Sequence, residues 1–168
     1  MNNKNILNKI IYGNINLNLI KKLENTDWIK SFQNFYNKLV ILLLDNKFFK
    51  KNIKLLKLSN SENKYLEQIF FYKKKFIFSN KKEDILKLVY VHGRSLSIDL
   101  VILYFLKKEI NKNNKLNFIR TMNMIEKFKI PIFPLEGKDI LKLGFKSGPQ
   151  VGLILKNLSC FFQSKLCR

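Results

Sequence analysis

Apolar positions along this chain recur at steps of three and four, and strict alternation is rare, so the pattern predicts helices rather than strands. Glycine and proline are almost absent before Gly93, which leaves little hairpin punctuation. A first helix is expected over 15–23. An Asn25-Thr26-Asp27 cap opens a second, with one stripe through Trp28, Phe32, Phe35, Leu39 and Leu42 or Leu43. A short helix is expected over 48–56. In LKLSNSENKYLEQIF (56–70), Ser59-Asn60-Ser61-Glu62 has the spacing of a capping box, opening a helix that buries Leu66, Ile69 and Phe70. Residues 72–82 are basic and read as loop or helix end.

A further helix is expected over 82–91, stopped by Gly93. The next, over 95–108, is apolar nearly all round, from Leu96 and Ile98 to Leu106, and belongs at the centre of the core. Asn111 begins a polar turn. Phe118, Met122, Ile125 and Phe128 then mark one face of a helix that ends before Pro131. The fold class is all-α, a helical bundle of about 8–9 helices. It divides softly into a unit over 1–72 and a unit over 73–168, with no internal repeat.

The stretch PLEGKDILKLGFKSGPQVG (134–152) gathers four glycines and two prolines. Pro131 and Pro134 hold their segment extended, because proline disfavours a helical residue before it. A short helix over 138–143 follows Glu136 and Gly137. Gly144 suits the position just past a helix end. Phe145-Lys146-Ser147 turns, and Gly148 precedes Pro149, which suits the first position of the next helix. That helix should bury Val151, Ile154, Leu155, Leu158 and Phe162, with Gly152 letting the two helices approach closely. The bundle therefore ends in a glycine-rich helix-turn-helix hairpin. Its plain reading is a packing turn. Its functional reading is phosphate binding, with free N–H groups at the helix start and Lys138, Lys142 and Lys146 beside Ser147 and Gly148.

Charge sharpens the functional reading. Lys and Arg number 32 against 12 Asp and Glu, a net charge of +20. Such a balance favours a polyanion, through release of condensed counterions. The excess of Lys, Asn, Ile and Phe is also what AT-rich coding produces, so charge alone names no partner. Lys73, Lys74, Lys75, Lys81 and Lys82 are by default a solvated face, and in an RNA binder a place for backbone contacts. Cys160 and Cys167 are too far apart on one helix to bridge, and no Cys/His cluster suggests a metal. They read as small core or interface residues. The longest purely apolar run, 100–106, is too short to span a bilayer. No apolar leader is visible, so a cytoplasmic setting without membrane contact is expected. His92 reads as a helix-end residue, Arg94 and Asp99 as a structural ion pair, Asp139 as a capping residue, and Trp28 as core.

Three segments, met in order, resemble one family. FPLEGKDILKLGFKSGPQVGLILKNL (133–158) is similar to the C-terminal signature of bacterial tRNA nucleotidyltransferases, the CCA-adding enzymes of the poly(A) polymerase type. The matching positions are Pro134, Gly137, Asp139-Ile140-Leu141, Leu143-Gly144, Gly148-Pro149 and Gly152. LKLSNSENKYLEQI (56–69) resembles a Leu-x-Leu-Ser-Asn-x-Glu run of alphaproteobacterial members, and LVYVHGRSLSIDLVILYF (88–105) the Tyr-x-x-Gly segment after it.

The resemblance implies tRNA as partner, held by a body and tail. In that family a separate head carries two metal-binding carboxylates, and a neck reads CTP and ATP. The matched parts here are the end of the body and the tail. Asp27, Asp45, Asp84, Asp99 and Asp139 include no neighbouring pair, and no Gly-Ser-Asp-x-Asp run exists. The only Glu-Asp pair, Glu83-Asp84, has Lys87 where the neck motif has Arg. The expectation is a tRNA-binding part that is non-catalytic by itself. It would hold no cofactor of its own, with Mg and ATP or CTP arriving only with a separate head subunit. Two alternatives stand beside it. One is a degenerate remnant, to which asparagines in expected helices such as Asn34 and Asn37 would point. The other is a generic basic helical protein binding RNA or a membrane surface. An apolar face around Trp28, Phe32 and Phe35 is expected where head and neck would sit.

Overall fold

The computed structural model describes residues 10–166, with Lys74 and 163–166 described by backbone alone. Cys167 lies outside the described residues. Nine helices and no strand occur among them: α1 (Leu17–Glu24), α2 (Asp27–Lys30), α3 (Phe35–Leu42), α4 (Phe49–Leu55), α5 (Asn60–Lys75), α6 (Lys82–Leu106), α7 (Lys112–Lys127), α8 (Gly137–Lys142) and α9 (Pro149–Leu166). The all-α bundle ending in a short helical hairpin is what the periodicity predicts.

Asparagine caps the start of three of these helices. Asn16 Oδ1 accepts the Leu19 N–H at 3.1 Å, and Asn111 Oδ1 accepts the Asn114 N–H at 2.8 Å. At α3 the capping is reciprocal: Asn34 Oδ1 takes the Asn37 N–H at 2.8 Å, and Asn37 Oδ1 takes the Asn34 N–H at 3.1 Å. This breaks the single helix expected from Trp28 to Leu43. The apolar stripe continues across the break, but Asn34 is extended (φ −137°, ψ 174°) and two asparagine side chains compete for the backbone. The Ser59–Glu62 capping box forms at α5: Ser59 Oγ accepts the Glu62 N–H at 3.3 Å, and Glu62 Oε2 accepts the Ser59 N–H at 2.8 Å. From Asn60 the helix runs on to Lys75, further than the basic composition of 72–82 suggests.

The second arm of α6 is the axis of the core. Leu96, Leu100, Val101, Ile102, Leu103, Phe105 and Leu106 are all buried. Leu23, Ile29, Val40 and Ile53 pack into the same cluster from α1–α4, Leu66 and Ile69 from α5, and Phe118, Met122 and Ile125 from α7. Trp28 joins it edge-on to Phe118 at 4.9 Å and Phe105 at 6.4 Å. The boundary expected at 72/73 falls inside α5, and buried residues on both sides of it share this one cluster.

Gly93 divides α6. Its φ of 78° and ψ of 166° lie outside the helical region, where a Cβ would be strained. The chain bends there. Phe78 stacks on Tyr104 at 4.6 Å. A straight helix would place Lys82 about 33 Å from Tyr104. The four residues from Phe78 to Lys82 can reach at most about 14 Å. Lys82–Leu106 is long and apolar enough by composition to cross a membrane, with half of the span buried. The non-helical Gly93 divides that span into two shorter arms.

Beyond Ile130 the packing loosens. Among the described residues of the hairpin only Ile140 is fully buried; Val151, Ile154, Leu155, Leu158 and Phe162 are half-buried. Gly152 is exposed, and a Cβ built on it meets nothing within 4 Å, so it does not create a close approach. The glycine nearer its neighbour is Gly137, whose added Cβ would lie 3.8 Å from Val151.

These two glycines separate backbone need from packing need. Gly93→Ala is expected to lower stability by about 1–3 kcal/mol, since no side chain crowds the site and the penalty is conformational. Gly152→Ala should leave stability unchanged or raise it by up to about 1 kcal/mol, through helix propensity. Thermal melts of both variants test this, and a destabilised Gly152→Ala would restore the close-approach reading.

Candidate nucleic-acid interface

The hairpin turn assembles the first group of candidate residues. Asp139 Oδ2 accepts the Glu136 N–H at 2.9 Å, which makes Asp139 a capping residue of α8. Lys138 Nζ lies 2.8 Å from Glu136 Oε2, with both side chains about two-thirds exposed, so the pair adds little stability. Lys142 stands in the last turn of α8, where a cation favours the helix dipole. Gly144 follows with φ 92°, as a residue just past a helix end requires. Lys146, Ser147 and Gly148 are exposed, and Pro149 is the first residue of the long α9. Pro134 is exposed ahead of the turn. Two lysines, a hydroxyl and a helix start therefore share one solvent-facing turn.

The second group divides by role. Lys73 is half-buried; its Nζ donates to the Leu44 carbonyl and lies 3.5 Å from the centroid of the Phe70 ring. It ties α5 to the end of α3 rather than facing solvent. Lys75 is exposed, with Nζ 4.3 Å from the Phe71 ring centroid. Lys81 and Lys82 are exposed where α6 begins. Lys74 lies on α5 between Lys73 and Lys75.

The expected Arg94–Asp99 ion pair does not form. Arg94 Nη2 donates to the Phe128 carbonyl at 3.0 Å. Asp99 is fully buried and accepts three neutral donors: Tyr65 Oη at 2.7 Å, Asn34 Nδ2 at 3.1 Å and Asn37 Nδ2 at 3.3 Å. Burial pushes its carboxyl above the ordinary range, opposed by those hydrogen bonds. Burial and the Asp99 contact push the Tyr65 hydroxyl up. Beside this node, Tyr36 Oη donates to Glu62 Oε1 at 2.8 Å, and the Tyr36 and Tyr65 rings meet edge-on at 5.6 Å. The Ser59 hydrogen bonds hold Glu62 below the usual carboxylate range. His92 sits at the helix end beside Gly93, 4.3 Å from the Tyr72 ring, and burial lowers its pKa. Asp99 has its acceptor capacity engaged and no solvent access, so it can hold helices but not exchange protons with a substrate.

Three further expectations change. Trp28 and Phe32 are half-buried in the aromatic cluster while Phe35 is 58% exposed, so they do not form one open apolar face. Cys160 is exposed rather than in the core. Asn34 and Asn37 cap each other's backbone N–H at the start of α3 and both donate to Asp99, so neither is idle. The periodicity missed the Asp99 node because Asn34, Asn37, Tyr65 and Asp99 are remote in sequence; a lone Asp in an otherwise apolar helix was the available signal. It also missed Arg120, Lys127 and Lys129, which line one groove with Lys82 between α6 and α7. Among the described residues no three of His, Cys, Asp and Glu converge as a metal site would require. Set against known proteins, the chain matches no family model, no curated protein and no solved structure.

The Asp99 node has a pH signature. A raised folded pKa means the native state binds that proton more tightly than the unfolded state, so stability falls as pH rises from about 3.8, the ordinary aspartate value, through the folded value. Asp99→Asn lacks this contribution, while Glu62 contributes alike to both proteins. The stability difference between wild type and Asp99→Asn should therefore shift against wild type as pH rises through that window and level off above it. Urea denaturation across pH tests this; parallel profiles would sink it.

Proposed function

We propose that this chain is a tRNA-binding part of a CCA-adding nucleotidyltransferase system, non-catalytic by itself and completed by a separate head chain. The observation that carries the reading is the turn between α8 and α9. There the residues of the resembling signature and the exposed cations Lys142 and Lys146 coincide at the start of an 18-residue helix. Backbone N–H groups and lysines of this kind hold phosphates without reading sequence. The net charge of +20 supplies the field that draws a polyanion in. Lys75, Lys81 and Lys82 extend the basic surface along the folded shape. Mg and ATP or CTP would be bound by the head chain, and the setting is cytoplasmic. The asparagine caps support a maintained fold over a decaying remnant.

The test compares intact tRNA with an unstructured RNA of equal length, at low and at near-physiological salt. Preference for tRNA should persist at the higher salt. Equal binding of both, lost together with salt, would leave only the generic basic-protein reading.

Charge reversal locates the contact. Lys142→Glu with Lys146→Glu should weaken tRNA binding about tenfold or more and flatten the salt dependence by roughly two phosphate contacts. Lys73→Ala should instead lower the melting temperature. A salt slope untouched by the double reversal would remove the hairpin from the interface.

A further inference from the structure

The groove between α6 and α7 sets four cations around aliphatic side chains. It has a volume of about 880 Å³. Its floor is Leu86, Leu116, Ile119, Met124 and Phe128. Leu116 is 65% and Ile119 40% exposed, so α7 shows a small apolar patch of two residues outside its buried Phe118, Met122 and Ile125. Lys82, Arg120, Lys127 and Lys129 line the same groove, and no carboxylate does. Glu83 and Glu126 neighbour two of these cations in sequence but are not among the lining residues.

From this we infer that the groove docks an acidic amphipathic helix of a partner protein. A helix laid in a groove buries apolar anchors at steps of three, four and seven. On α7 the groove-lining positions Leu116, Ile119, Asn123 and Lys127 follow such steps over about 16 Å or three turns, with Leu116 and Ile119 as the apolar contacts and Lys127 as a cation at the far end. Acidic residues flanking the anchors would meet the four cations. Charge excludes the nearer occupants. The first nine residues of this chain contain Lys4 and Lys9 and no acid, and a second copy brings another +20. Nucleic acid fits the floor less well, because stacking needs exposed aromatic faces and the exposed floor residues are aliphatic. Met124 gives the floor a side chain that adapts to its partner. The inference is independent of tRNA binding at the hairpin.

The experiment titrates the full chain against a labelled synthetic helix of about 12 residues, with Leu at anchor positions and Glu on both flanks, at near-physiological salt. Controls carry Lys for Glu, or Ser for Leu. The acidic amphipathic peptide should bind at least about tenfold tighter than either control. Ile119→Glu with Arg120→Glu, and separately Lys127→Glu with Lys129→Glu, should each abolish that preference while leaving the melting temperature and tRNA binding in place. Equal binding of the three peptides would overturn the proposal. So would unchanged binding by both variants, or a parallel loss of tRNA binding, which would make the groove a nucleic-acid surface. Flotation of the wild type with phosphatidylserine vesicles, lost in the same variants without any peptide preference, would overturn it in favour of a lipid surface.

Discussion

A buried carboxylate without a counter-cation constrains much of this structure. Asp99 lies in the helix that forms the axis of the core, and among the described residues no arginine or lysine pairs with it. Leaving such a group unpaired costs several kcal/mol, so its hydrogen bonds must be supplied by neutral donors held in place. Tyr65 brings α5 to it, and Asn34 and Asn37 bring the start of α3. Each donor has fixed position only if its own helix is fixed. The result is one polar point that sets where three elements stand around an otherwise non-directional apolar core.

Asparagine does much of the remaining polar work. Asn46 Nδ2 donates to the carbonyls of Tyr12 at 2.7 Å and Asn14 at 2.8 Å. Asn52 exchanges hydrogen bonds with Tyr12 in both directions, at 2.8 and 2.9 Å. Both asparagines are buried, and they satisfy the backbone of the irregular segment around Gly13, which has no helix or strand to do so. A composition that looks like drift in the sequence is, at these positions, a set of specific caps and staples. Drift in composition and selection at particular sites are compatible, because only the placement of each amide decides whether it is satisfied.

The surface follows from what the core consumes. The bundle uses the apolar residues up to Phe128 to enclose the second arm of α6. The hairpin after Ile130 buries only Ile140 fully among its described residues, so its stability leans on α9 lying against α6, where Phe162 meets Tyr90 at 6.3 Å. Cations left outside the core face solvent with few acids to pair with. Where they border polar turn backbone, at Lys142 and Lys146, the chemistry suits phosphate. Where they border aliphatic side chains, at Arg120 and Lys127, it suits an acidic and apolar partner.

The sequence by itself determined the local elements. Periodicity gave the helix class, Ser59 and Glu62 the start of α5, Gly144, Gly148 and Pro149 the hairpin, and the unbroken apolar run the central helix, because each of these depends on neighbours within a few residues. It missed the break at Asn34, since the apolar stripe there continues in step while the amides turn the backbone. The break at Gly93 was legible from the glycine itself. Tertiary structure alone decided the partners of Asp99, the withdrawal of Lys73 from the basic face, and the groove between α6 and α7. Those depend on groups tens of residues apart arriving at hydrogen-bonding or van der Waals distance. Spacing along the chain carries no record of which buried donor will meet which acceptor.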